Sequence, residues 1–106
     1  MNIDLYGMLR LVSGVKRIVV ELPRGATLMD HMIELIRLYP NLQAGLLDEH
    51  GGVRADLPLF VNGRNPRLLP GALNAIPQPE DTLSLFSPVS SGRINVEVLR
   101  EPGKVE

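Results

Sequence analysis

Apolar and polar positions alternate from the start of the chain. In residues 3 to 11, Ile3, Leu5, Leu9 and Leu11 share one parity while Asp4, Met8 and Arg10 share the other, which predicts a half-buried strand. The stretch SGVK then turns the chain, with Gly14 supplying a permissive backbone. In KRIVVEL the even positions Ile18, Val20 and Leu22 repeat the alternation with β-branched residues, so a two-stranded hairpin is expected to open the protein.

The period changes in the next segment. Across PRGATLMDHMIELIRLYP, Met29, Met32, Ile33, Ile36 and Tyr39 recur at spacings of three and four, which predicts one helix with those residues as its apolar face. Thr27 stands where an N-cap belongs, Asp30 falls in the first turn, and Pro40 stops the helix. Residues 41 to 56 are polar apart from AGLL, which suits a helical turn, and DEHGGVRAD reads as an exposed loop. In LPLFVNG, Leu57, Leu59 and Val61 share a parity and Asn62-Gly63 is a strong turn signal. RNPRLLPGALNAIPQPED holds four of the nine prolines and predicts an irregular covering segment. TLSLF is the last core strand, with Leu83 and Leu85 inward. Strand, strand, helix, strand, irregular segment and strand make an α+β roll of the ubiquitin-like type, with a mixed sheet of four to five strands packed on one main helix.

Composition narrows the functional classes. At 106 residues the chain is one domain's worth, long enough for a single core. The 11 Lys and Arg residues against 12 Asp and Glu leave no basic excess, so a nucleic-acid partner is not expected. Apolar runs such as IVVEL and LPLFV fall far short of the roughly 20 residues that span a bilayer. The start MNIDLYG lacks the regions of a signal peptide, and a cytosolic protein without a membrane partner is expected. There is no cysteine, which removes disulfides, thiolate metal sites and a thiol nucleophile together.

The order LYGMLRLVSG, VELPRGATLMDHMIELIRLYP, LFVNGR and PEDTLSLFSPVSSG resembles the small sulfur-carrier proteins, which include the small subunit of molybdopterin synthase and the thiamine sulfur carrier. The resemblance covers residues 1 to 92 in order. It implies a β-grasp domain over residues 1–87, a carrier-like tail over 88–92 and a C-terminal extension over 93–106. In that family the tail ends in Gly-Gly. An ATP-dependent activating enzyme adenylates its carboxylate, and a sulfur donor converts the adenylate to a thiocarboxylate that serves an acceptor enzyme such as the large subunit of molybdopterin synthase. The chain itself is expected to hold no cofactor and to be a substrate of enzymes rather than one of them.

Two departures bear on this expectation. The terminal glycine pair aligns with Ser91-Gly92, and fourteen residues, RINVEVLREPGKVE, follow. Gly92 therefore presents an internal peptide bond, and it could carry sulfur only after the extension is removed. Some family members resemble precursors cut after the glycine by a metalloprotease, and the polar SPVSSGR suits cleavage. The extension also reads as a strand, because Ile94, Val96 and Val98 alternate with Arg93, Asn95 and Glu97. In that alternative the protein is a non-conjugated ubiquitin-like module whose C-terminal strand mediates assembly, pairing with an exposed sheet edge of its own or of a neighbouring chain.

Phe60 and Phe86 have the opposite parity from the inward residues of their strands, and on one sheet face they would form a contact surface beside the tail. With Pro88, Val89, Ser90 and Ser91 they are the expected partner-binding residues, and Gly92 is the expected thiocarboxylate position. Arg10, Arg64 and Arg67 are candidates for orienting partners. His31 and His50 lack a second ligand at metal spacing and read as surface histidines. Asp48-Glu49 reads as a solvated loop and Glu80-Asp81 as turn chemistry.

Overall fold

The computed structural model describes residues 1–68 and 71–88. Strands β1 (Asn2–Leu5), β2 (Arg17–Val19), β3 (Leu59–Val61) and β4 (Thr82–Leu85) form one four-stranded sheet in the order β2-β1-β4-β3. The two central strands run parallel, with Asn2 opposite Thr82 and Leu5 opposite Leu85, and each edge strand is antiparallel to its neighbour. Helices α1 (Met8–Ser13), α2 (Leu28–Leu38) and α3 (Gln43–Leu46) complete a β-grasp arrangement, in which the sheet is open and one helical layer covers one face. No helix among the described residues is long and apolar enough to cross a membrane.

Alternation places the core. Ile3, Leu5, Leu83 and Leu85 from the paired central strands are fully buried, as are Leu57, Leu59, Leu42 and Leu46, against Leu28, Met32 and Leu35 of α2. Each such side chain contributes roughly 1.5–3 kcal/mol through burial, so this cluster supplies the main driving force. In β2, Val20 just past the strand is buried and Ile18 packs against the core, while Arg17 and Val19 face out, as the even-position pattern requires. Asn62 and Gly63 take positive φ values of 51° and 83°, the two left-handed positions of the expected tight turn after β3.

The first segment departs from its expected strand. β1 stops at Leu5, and Gly7 at φ 63° turns the backbone into α1, so Leu9 is buried while Leu11 is 74% exposed. A single strand through Leu11 would have put both inside. The turn is possible because glycine has no Cβ to oppose a left-handed φ. β1 and β2 do pair, but through a helical connection that Gly14 ends as a left-handed C-cap, instead of the expected SGVK hairpin.

Helix α2 begins as predicted and is rotated from prediction. Thr27 Oγ1 accepts from Asp30 N at 3.1 Å, and Asp30 Oδ2 accepts from Thr27 N at 2.9 Å, a complete capping box. The helix ends at Leu38, before Pro40. Its buried residues are Leu28, His31, Met32 and Leu35, and Ile36 with the C-cap residue Tyr39 packs partly buried against the core as expected, whereas Ile33 is 52% exposed. The spacing of three and four admitted two neighbouring stripes, and packing selected the one centred on Met32 and Leu35. His31 is accordingly buried, not a surface histidine, and its ring nitrogen Nδ1 lies 2.8 Å from Thr27 O.

Arg17 makes a two-pronged ion pair with Asp4 across β1 and β2. The guanidinium hydrogen bonds hold the Asp4 carboxyl below the ordinary carboxylate range, against a smaller opposing effect of burial. A depressed pKa contributes stability that is present above the unfolded-state pKa and is lost as pH falls through the folded one. An acid titration followed by NMR should therefore place Asp4 below the ordinary aspartate range, and Arg17→Gln should raise it toward that range; an unchanged Asp4 would exclude the pair as the cause. The helix register has its own check. By urea unfolding, Leu35→Ala should cost about 2–5 kcal/mol and Ile33→Ala about 1 kcal/mol or less.

Candidate functional site

The site lies where β4 leaves the sheet. Leu83 and Leu85 point into the core, so Ser84 and Phe86 emerge on the open face. Phe86 N donates to Pro58 O at 3.0 Å and Tyr6 N donates to Leu85 O at 3.0 Å, which keeps the residues just past β4 in register with both neighbours. Tyr6 then stacks on Phe86 with centroids 4.5 Å apart and planes 8° from parallel, and Phe60 meets Phe86 edge-on at 5.9 Å and 82°. Arg10 Cζ lies 5.3 Å from the Tyr6 ring centroid, and Arg10 Nε donates to Leu5 O at 3.1 Å. Arg10, Tyr6, Phe86 and Phe60 thus form a continuous half-buried row across the open face. Each ring pair is worth about 0.5–1.5 kcal/mol beyond its buried area.

The next residue fixes the direction of exit. Ser87 Oγ accepts from Met8 N at 2.5 Å and from Leu9 N at 3.3 Å, and it donates to Tyr6 O at 3.3 Å. α1 has no capping side chain of its own at Gly7, so a residue about eighty positions later caps it. The approach is close: a Cβ on Gly7 would lie 2.7 Å from Ser87 Oγ. An apolar notch formed by Gly7, Pro58, Phe60 and Phe86 flanks Ser87 on the sheet side. On the helix side is a hollow of about 210 Å³ lined by Met8, Leu9, Val12, Gly45 and Pro88.

The structure therefore brings together Phe60, Phe86 and Pro88 of the expected partner-binding residues. Val89, Ser90, Ser91 and Gly92, like the strand pattern over 93–98, lie outside the described residues. Tyr6 and Ser87 were missed from sequence. Tyr6 shares parity with Asp4, and that alternation was the available signal, but Ser87 gave none, because its role depends on a partner on the first helix. Arg10 belongs to the row. Arg64 is exposed in the turn after β3. Arg67 is engaged within the fold: its guanidinium donates to Leu57 O at 2.8 Å and Arg54 O at 2.6 Å, tying down the loop before β3. Arg54 in turn grips Asp56 at 2.9 and 2.8 Å, which lowers that carboxyl's pKa. Asp48 Oδ1 accepts from His50 N and Gly52 N, and Asp81 accepts from Gln78 N and Asn62 Nδ2, so both acidic pairs contain a turn-forming aspartate.

Among the described residues no three His, Asp or Glu side chains gather to hold a metal. What the arrangement offers is ring faces and a guanidinium beside a pinned chain exit, which suits protein contact.

No protein-family model matches this sequence, and no curated protein does either. Solved structures do match. SAMP1 from Haloferax volcanii superposes with a TM-score of 0.74 at 26% identity, covering 86% of this chain and 97% of that one. A protein named as molybdopterin converting factor subunit 1 from Pyrococcus furiosus gives 0.64 at 23% identity, covering 83% and 95%. A chain of the BexX/CysO complex of Amycolatopsis orientalis gives 0.66 at 23%, covering 86% and 98%. The chain has the fold of the ubiquitin-like sulfur carriers. The β-grasp expectation drawn from the sequence is met, including its mixed sheet. The match spans nearly the whole length of each of these three chains.

The Ser87 cap can be tested by a double-mutant cycle. Ser87→Ala should cost about 1 kcal/mol, as for other N-caps, and Gly7→Ala about 1–3 kcal/mol from its positive φ and the clash with Ser87 Oγ. The double variant should cost less than the sum, because removing the hydroxyl relieves the clash. Additive costs would show that Gly7 and Ser87 do not meet.

Proposed function

We propose that this protein is a non-enzymatic sulfur carrier: residues 1–87 form the body, 88–92 the tail, and Gly92 bears the thiocarboxylate once residues 93–106 have been removed. The observation that carries the proposal is the pinned exit at Ser87 beside the Phe60–Phe86–Tyr6 row, on a fold shared with small sulfur carriers. Carrier chemistry needs a tail that starts from a fixed point and a surface that docks the body while the tail enters a partner. Tail glycines lack a Cβ and let the backbone enter a narrow channel. The matched share of the chain, 86% against 97% of SAMP1, is about that occupied by residues 1–92 and supports treating the extension as an addition to a carrier body.

Three partners follow from this reading. A metalloprotease cuts after Gly92, an adenylating enzyme activates the new carboxylate, and an acceptor enzyme such as a molybdopterin synthase large subunit receives the sulfur. Phe60, Phe86, Tyr6 and Pro88 dock the body, while Val89, Ser90 and Ser91 line the channel of whichever enzyme is engaged. Adenylation is needed because a carboxylate oxygen is a poor leaving group, and AMP departs when sulfur attacks the acyl carbon.

Intact mass spectrometry of the protein from its native cells, under conditions that preserve thiocarboxylates, tests the proposal. The expected species ends at Gly92, with a fraction heavier by the difference between sulfur and oxygen. Full-length chain alone, in cells where sulfur transfer is active, would falsify it.

A further inference from the structure

The sheet has two edges, and they are not alike. On β3, Val61 N donates to Arg64 O at 2.7 Å and Arg64 N to Val61 O at 3.0 Å, so the following turn pairs Val61 and leaves only Leu59 of that short strand with outward backbone groups. On β2, the bonds between Leu5 N and Lys16 O and between Val20 N and Met1 O fix the alternation of the antiparallel ladder. The backbone groups of Arg17 and Val19 therefore point away from the sheet, with no strand beyond them among the described residues. Val19 is 58% exposed and shares a cleft with Ile76, also 58% exposed. An open edge beside apolar surface is a template for another strand.

The chain contains a segment that fits it. Residues 93–100, RINVEVLR, match residues 17–24, RIVVELPR, at five of eight positions, namely Arg, Ile, Val, Glu and Arg. A strand with Arg first and Glu fifth is complementary to its own kind when run antiparallel. With Arg17 opposite Glu97 and Glu21 opposite Arg93, both cross-strand pairs would carry opposite charge, Ile94 and Val96 would fall beside Val20 and Ile18 on the helix-covered side, and Asn95 would meet Val19. Run parallel in the same frame, Arg meets Arg and Glu meets Glu, which is unfavourable.

Reach decides between one chain and two. Val19 is level with Thr82, because both stand opposite Asn2. Glu21 lies two residues past that level, Ser87 five residues past it in the other direction, and β2 is two strands away from β4. The antiparallel position of Arg93 is thus roughly 27 Å from Ser87, by strand rise and strand spacing. The six peptide units from Ser87 to Arg93 span at most roughly 20–22 Å. We infer that residues 93–98 add antiparallel to the free edge of β2 in a second copy of this chain, making the uncut protein a reciprocal strand-exchanged dimer. The inference concerns the uncut chain and does not depend on sulfur chemistry.

The test uses the full chain, a chain ending at Gly92, and Val19→Cys/Asn95→Cys in the full chain, which has no other cysteine. Sedimentation over a concentration series should give a dimer for the full chain and a monomer for the shortened one. Mild oxidation of the double-cysteine chain should give a reducible covalent dimer. Arg93→Glu should weaken the dimer, and adding Glu21→Arg should restore it. A monomeric full chain, a dimer that survives truncation at Gly92, or a monomer with an internal disulfide would each overturn the inference.

Discussion

The parallel pairing of β1 with β4 is the contact on which the rest of the molecule depends. It joins residues about eighty positions apart and sets Ile3 and Leu5 beside Leu83 and Leu85, which fill the middle of the core. Such long-range closure carries a large entropic cost, offset here by four fully buried aliphatic side chains in one register. The same register determines the opposite face. Because Leu5 stands opposite Leu85, Tyr6 and Phe86 follow as neighbours and stack. Gly7 and Ser87 come next, and there the strand pair becomes a helix start and its cap.

The core and the open face are thus two readings of one alternation. Odd positions of β1 and β4 exclude water with α2, while even positions present Asp4, Tyr6, Ser84 and Phe86 outward. A slip of one residue would exchange the two sets and bury Asp4 with its ion-pair partner. Core packing therefore holds the aromatic row in place, and the row needs no dedicated scaffold.

Much of this was legible in the sequence where a signal was local. Thr27 with Asp30, Pro40, Asn62-Gly63 and the alternation of TLSLF each name a feature that backbone chemistry fixes within a few residues. The failures were tertiary. The alternation through Leu11 looked like a strand because a short amphipathic helix can imitate it, and the left-handed Gly7 that separates β1 from α1 is only one glycine among ten. The apolar stripe of α2 was displaced because Leu28 and Leu35 compete with Met29 and Ile36 for the same side, and only the sheet decides between them. Arg67 looked available for partners because carbonyl acceptors in a distant loop leave no trace in composition. Of the candidate site, Phe60 and Phe86 were visible through their parity, and Tyr6 and Ser87 became visible only once β1 lay beside β4.

The Ser87 cap also has a mechanical side. A pull on the chain at residue 88 would load the bonds from Met8 N and Leu9 N to Ser87 Oγ. Drawing the chain out past Ser87 would require uncapping α1, at a cost of about 1 kcal/mol. On the proposed carrier reading the cap would act as a soft stop that couples the depth of tail insertion to the order of α1, whose exposed Met8 and Leu11 stand beside the exit.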